Sequence, residues 1–298
     1  MYNDIFSIGP VTIHGYGLMI AIGVLVAIFV ADKRSEKRGV KGDFVYTLTL
    51  LTVILGFLSA KVLFIITYLK DFLADPIYFI QGSGFVVFGG IIGGLATIWA
   101  YCKINKMKFV DVFDLIVPSV ALAQGFGRLG CLLAGCCYGR ETDSVIGIVF
   151  KHSDFAPNNV KLMPTQIMMS VGDFVIAGIL FWLVGRVEKK IMEEQKLDKI
   201  PFGCGGRIGL AYLVLYSIGR FGVEFFRNDY RGAVGILSTS QFIAINVAVI
   251  CAFIYYWGFV RKKDEVVATD SASDENAVID DVEKKDETVV EKKSATEE

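Results

Sequence analysis

Ile5-Phe-Ser-Ile-Gly-Pro-Val-Thr-Ile-His14-Gly-Tyr16-Gly-Leu-Met-Ile-Ala-Ile-Gly-Val-Leu-Val-Ala-Ile-Phe-Val-Ala31 runs for 27 residues without an Asp, Glu, Lys or Arg. Two further stretches read the same way, Pro76–Cys102 for 27 residues and Gly232–Val260 for 29. A helix needs about 20 apolar residues to cross a bilayer core, and each run exceeds that. Working outward from them, hydrophobic segments fall at roughly 13–31, 44–68, 77–101, 110–134, 164–185, 207–226 and 238–260. The 298-residue chain is 54% hydrophobic and 20% charged, with a mean hydropathy of +0.54. A soluble chain is about 45–50% apolar and about 25% charged. The pattern predicts an all-α polytopic membrane protein with about seven transmembrane helices. It excludes a soluble enzyme, a disordered chain and a disulfide-stapled secreted domain.

No Lys or Arg precedes the first segment. It therefore lacks the basic start of a signal peptide and is expected to be a retained span. Loop charge sets the orientation. With the N-terminus outside, the inner loops hold 17 Lys and Arg and the outer loops hold 6. The N-terminus is thus expected outside and the C-terminus in the cytoplasm. From Asp264 onward there are 13 acidic and 4 basic residues and no aromatic. Such a segment cannot bury enough apolar surface to offset its ordering entropy. The expected organisation is a seven-helix transmembrane catalytic domain over 1–263 and an acidic, disordered cytoplasmic tail over 264–298. An irregular stretch, about 138–163, should form an outer-face excursion.

Ionisable groups inside spanning segments are costly and point to function. Arg128 sits in Gln124-Gly-Phe-Gly-Arg-Leu-Gly-Cys131, Lys61 in the second segment, and Arg220 and Glu224 in the sixth. Spacings of four put Tyr216, Arg220 and Glu224 on one helix face. That pattern reads either as an ion pair neutralising itself or as a cationic pocket oriented by its own carboxylate. Two arginines toward the outer leaflet call for an anion, and a lipid phosphate matches their planar bidentate donors. Lys61 either joins them or snorkels to an interface. Phe88-Gly-Gly-Ile-Ile-Gly-Gly94, with Gly89 and Gly90, reads as close approach of lipid or as packing between helices.

Six cysteines occur. Cys102, Cys204 and Cys251 read as small buried hydrophobes. Cys131, Cys136 and Cys137 cluster beside Arg128. They read as structural or disulfide-forming, as replacements of polar residues, or as a thiol activated by the arginine. Only His14 and His152 could add imidazoles, and the spacing is not that of a zinc finger, so a metal is the weakest reading.

The residues resemble the prolipoprotein diacylglyceryl transferase family over about 5–260. The resemblance rests on four stretches in order: Phe6-Ser-Ile-Gly-Pro-Val-Thr-Ile-His14-Gly-Tyr16-Gly-Leu-Met19; Gly127-Arg128-Leu-Gly130 with Tyr138-Gly-Arg140; Tyr216-x3-Arg220-x3-Glu224-Phe-Phe-Arg227; and Leu237-Ser-x2-Gln241. It implies transfer of an sn-1,2-diacylglyceryl group from phosphatidylglycerol to the lipobox cysteine of a preprolipoprotein. The products are a thioether and glycerol phosphate. It implies a multi-pass protein of the bacterial cytoplasmic membrane, with no metal, no cofactor and no nucleic acid. On this reading Arg220, Glu224, Tyr16 and His14 are catalytic candidates. Arg128, Tyr216, Gly89, Gly90, Lys61 and Arg227 are candidates for holding substrate.

The chain departs from the family pattern at several positions. Phe88 stands where the best-known members have a His proposed as base, Cys131 replaces an Asn, Cys136 an acidic residue, Met163 a His, and Lys61 an Arg. Proton abstraction then falls to Tyr16, His14 or Glu224. The rival readings are a catalytically altered relative that binds anionic phospholipid, a membrane thiol oxidoreductase using Cys131, Cys136 and Cys137, and a transporter. No Cys-x-x-Cys pair supports the second, and no internal repeat supports the third.

Overall fold

A computed structural model describes residues 4–8, 11–40, 43–82, 84–196, 200, 202–228, 233–234 and 237–260. The acidic tail expected over 264–298 lies outside the described residues. A hairpin of β1 (Asp4–Ile8) and β2 (Val11–His14) leads directly into α1 (Gly15–Glu36). Then come α2 (Asp43–Thr67), two short helices α3 (Leu69–Ala74) and α4 (Pro76–Gln81), α5 (Val87–Ile104) and α6 (Phe109–Ala134). A small excursion with β3 (Ile148–Val149) and β4 (Lys161–Leu162) precedes α7 (Thr165–Gln195) and α8 (Arg207–Glu224). The β5 (Ala233–Val234) and β6 (Leu237–Ser238) hairpin precedes α9 (Thr239–Tyr255), which runs into a π-helical turn, Tyr256–Val260.

Among the described residues, six helices are long and apolar enough to cross a membrane: α1, α2, α5, α6, α7 and the stretch Thr239–Gly258. Their flanks leave Leu25, Phe29, Leu50, Leu58, Ile92 and Trp182 exposed, which suits hydrocarbon and not water. The seventh expected segment is also helical. However, α8 carries Arg207, Arg220 and Glu224, and these leave it short of that apolarity. The third expected segment, 77–101, is broken. Pro76 starts α4 at its first turn and Asp75 accepts the Tyr78 N–H at 3.1 Å, giving a separate capped helix. The chain then leaves the helix at Gly82 and re-enters at Val87.

The chain forms two compact units, Met1–Ala248 and Val249–Glu298. The described part of the second is the end of α9 and the π turn. In the first, α6 is central, packing on α1, α5, α7 and α8, while α2 pairs with α5. Small residues set these distances. A Cβ on Gly23 of α1 would meet Phe126 Cβ at 2.9 Å, and one on Gly125 of α6 would meet the Phe174 ring of α7 at 2.5 Å. One core cluster joins Val117, Ala177, Leu180 and Ile208 across α6, α7 and α8, and another joins Val45, Ile98, Val112 and Leu115 across α2, α5 and α6.

The ends of these helices opposite the hairpin are locked by charge. Asp114 is 1% exposed. Its carboxylate accepts backbone N–H groups of Cys204 at 3.1 Å, Gly206 at 2.7 Å and Gly209 at 2.8 Å. It therefore serves the start of α8, whose first donors have no intrahelical partner. Arg38 forms a buried ion pair with Glu188 of α7, and Arg34 donates to the Leu115 carbonyl.

Candidate functional site

The last turn of α6 builds the site. Gly135 takes the left-handed conformation (φ 74°) that ends a helix, and its N–H reaches back to the Cys131 and Leu132 carbonyls. The Cys136 N–H follows, donating to the Cys131 carbonyl at 3.1 Å. This reversal lays Cys136 and Cys137 over Cys131. None of the six cysteines, all described, is in a disulfide. The sulfurs of Cys131, Cys136 and Cys137 lie within 4.8 Å of one another. Hydrogen bonds shared with Cys131 and Cys137 push the Cys136 thiol up from its ordinary value.

The start of α7 clamps this loop. Thr165 Oγ1 donates to the Cys137 carbonyl at 2.8 Å, and Gln166 Nε2 donates to the Cys136 carbonyl at 2.8 Å. Behind the loop, the excursion over 138–163 has its own small core of Phe150, Ala156 and Leu162. It is tied to the end of α8, where Arg140 N–H donates to the Phe226 carbonyl at 2.9 Å.

Arg128 stands one turn before Cys131 and is half-buried. Its electrostatic neighbours are Tyr216 of α8, Asp173 of α7, Cys131 and Cys137. Arg220 pairs with Glu224 at 2.6 Å and donates through Nη2 to Ser240 Oγ of α9 at 2.8 Å. The pair is 12% and 8% exposed. Arg128, Arg227 and Tyr216 all lie within its field. Tyr216 stacks on Tyr212, whose hydroxyl donates to Gln124 Oε1 of α6 at 2.7 Å. Tyr16, at the start of α1 and 43% exposed, lies in the field of Arg128 and the three cysteines. Its carbonyl and ring sit 3.1 and 3.2 Å from where a Gly130 Cβ would be.

The structure therefore brings together Arg128, Arg220, Glu224, Tyr216, Tyr16 and Arg227. The other expected site residues sit elsewhere. Lys61 donates to the Gly82 carbonyl at 2.7 Å, under the break between α4 and α5, between the rings of Phe64 and Phe85. Gly89 is pressed on α2, where a Cβ would meet the Ser59 carbonyl at 2.6 Å, and Gly90 faces Gly56 and Ala60. These two glycines act here as contacts between helices. His14 is exposed at the end of β2. Two carboxylates escaped the sequence reading although both lie inside spanning segments. Asp114 holds α8. Asp173 is buried beside Arg128 with Oδ2 unpartnered. The signal for Asp173 was a lone charge in 164–185, the same signal that marked Arg128.

Fold and site together define a polytopic membrane protein that gathers paired arginines, tyrosines and thiols between its helices, a centre suited to an anion. Comparison with known proteins is specific. Residues 3–257 match the model of a family described as prolipoprotein diacylglyceryl transferase. The phosphatidylglycerol–prolipoprotein diacylglyceryl transferase of Clostridium tetani is 43% identical over 260 residues, covering 87% of this chain and 98% of that one. The phosphatidylglycerol–prolipoprotein diacylglyceryl transferase 2 of Clostridium perfringens is 45% identical over 256 residues, covering 85% and 94%. The Staphylococcus carnosus protein of the same name is 29% identical over 262 residues, covering 85% and 90%. This chain belongs to the prolipoprotein diacylglyceryl transferase family.

Proposed function

We propose that the protein transfers the sn-1,2-diacylglyceryl group of phosphatidylglycerol to the lipobox cysteine of a preprolipoprotein, releasing glycerol phosphate, in the bacterial cytoplasmic membrane. The observation that carries this reading is the convergence of Arg128 and Arg220 from α6 and α8 in a chain of this family. The reaction is a substitution at a glyceryl carbon with a phosphate ester leaving. Negative charge grows on the departing phosphate, and preorganised cations stabilise it. Arg128, with Tyr216, Asp173 and two thiols as its electrostatic neighbours, binds the lipid phosphate. Arg220, fixed by Glu224 and Ser240, is placed to meet the charge that develops as the ester leaves. Tyr16 and Tyr216 flank the phosphate.

The loop charges support a site near the outer face, with the N-terminus outside and the C-terminus in the cytoplasm. The test uses purified protein in phosphatidylglycerol nanodiscs with a lipobox peptide. Wild type should add one diacylglyceryl mass to the peptide and release glycerol phosphate. Arg128→Ala should lose both products by about 100-fold or more. A wild-type protein that leaves the peptide mass unchanged overturns the reading.

A further inference from the structure

Phosphate binding uses arginines and tyrosines and leaves three thiols unexplained. The reaction also needs the acceptor sulfur as a thiolate, because the thiol is a poor nucleophile. The strongest electrostatic neighbours of Arg128 and Tyr16 include no histidine. Glu224 is occupied by Arg220. A phenol, with an ordinary pKa of about 10, is almost wholly protonated at neutral pH and so offers little free base to a thiol of about 8.5.

The thiols themselves offer another route. We propose that Cys131, Cys136 and Cys137 hold a zinc ion as a three-thiolate site whose fourth position takes the acceptor cysteine of the protein substrate. The proposal rests on the diacylglyceryl-transfer reading above and adds to it how the acceptor is activated.

Geometry supports it first. Zinc–thiolate bonds of about 2.3 Å in a tetrahedral site put the sulfurs roughly 3.8 Å apart. The three sulfurs already lie within 4.8 Å of one another, so closure on an ion needs small side-chain adjustments. The loop is also held as a ligand loop would be. Gly135 turns it, Gln166 and Thr165 fix the Cys136 and Cys137 carbonyls, and Cys137 keeps a left-handed backbone (φ 62°) that no glycine relieves. Charge is the second support. Three thiolates on a divalent cation leave one net negative charge, and Arg128 lies in the field of Cys131 and Cys137. Access is the third. Cys136 and Cys137 are only partly buried, and Tyr16 beside them is exposed. A catalytic zinc site has this form, three protein ligands and one open position.

The step balances without any oxidant or reductant. The acceptor thiol binds the ion and loses its proton to water, because a coordinated thiol is deprotonated. Its sulfur attacks the glyceryl methylene carbon. A carbon–sulfur bond forms, the carbon–oxygen bond to phosphate breaks, and the electron pair stays on the phosphate oxygen. The released proton balances the second charge of the phosphate monoester. The thioether is neutral and leaves the ion.

The test uses the full chain in zwitterionic nanodiscs. Metal analysis should find about one zinc per chain in wild type and in Cys251→Ser. Cys131→Ser, Cys136→Ser and Cys137→Ser should each lower zinc affinity by about 10-fold or more. Cobalt exchanged into wild type should give a thiolate charge-transfer spectrum. That spectrum should change with a lipobox peptide and not with the peptide bearing Ser at that position. Absence of zinc, retention of zinc in all three variants, or a cobalt spectrum blind to the peptide thiol each overturn the proposal. A spectrum that responds to the peptide, with no diacylglyceryl gain once phosphatidylglycerol is added, supports the site and overturns the transfer reading instead.

Discussion

Arg128 and Asp114 stand on the same helix and show two uses of a charge inside it. Arg128 keeps its guanidinium among tyrosines and thiols, with a neighbouring residue, Gly127, that has open space where a Cβ would be. That space is where the lipid phosphate should lie. Gly127→Ala should then keep or raise the melting temperature, since alanine favours a helix interior by about 0.5–1 kcal/mol. It should lower transfer in the peptide mass assay. Asp114 satisfies three buried N–H groups. Asp114→Ala leaves them unpaired at about 1–3 kcal/mol each, so thermal unfolding in detergent should show a loss of several degrees. Asp114→Asn keeps one acceptor oxygen and should lose less. The sequence marked Arg128 and not Asp114, because a carboxylate near a helix start reads as ordinary until the loop it captures, 90 residues later, is seen. Cys204 belongs to that captured loop, and burial pushes its thiol up to about 12. It should resist maleimide at neutral pH, read as no mass gain at Cys204 in the native protein.

At the scale of elements, glycine spacing decides which helices touch. Gly89 and Gly93 put the α5 backbone against Ser59 and Ala60 of α2. Gly89→Leu should separate that pair and lower the melting temperature by an amount reflecting overpacking of about 1–3 kcal/mol. Per folded molecule, transfer should change far less than in Arg128→Ala. The run Phe88–Gly94 was legible as glycine-rich. Whether it faced lipid or a helix was not, because helical spacing alone does not name the partner. The break at Gly82–Val86 was likewise hidden in an unbroken uncharged run. Pro76 and Asp75 build a separate helix there, and Lys61 donates to the Gly82 carbonyl that the break leaves free of a helix.

For the whole molecule, two ends are organised differently. On the side of Asp114, Arg38 and Glu188 lock the turn after α1 to α7 through a buried pair. Glu188→Gln leaves Arg38 uncompensated and should cost about 3–5 kcal/mol, read as a lowered unfolding temperature with transfer per folded molecule retained. On the side of Arg128, loops and short strands enclose a centre that several helices share. The acidic segment beyond Lys263 has little counterpart in the Clostridium tetani relative, 98% of which is covered by 260 residues of this chain. A chain ending at Lys263 should therefore transfer within about twofold of the full chain, a difference of about 0.4 kcal/mol in the barrier.

Composition by itself determined that the chain lives in a membrane, because no soluble core absorbs runs of 27 and 29 uncharged residues. Periodicity put Tyr216, Arg220 and Glu224 on one face, since that contact is local to a helix. Tertiary structure alone decided that Arg128 of α6 meets Tyr216 of α8, that Asp173 stands beside it, and that Cys131, Cys136 and Cys137 form one cluster. The first two need packing between helices far apart in the chain. The third was close in the sequence already, but the contact between sulfurs needs the left-handed turn at Gly135, which reverses the backbone and folds Cys136 and Cys137 back over Cys131.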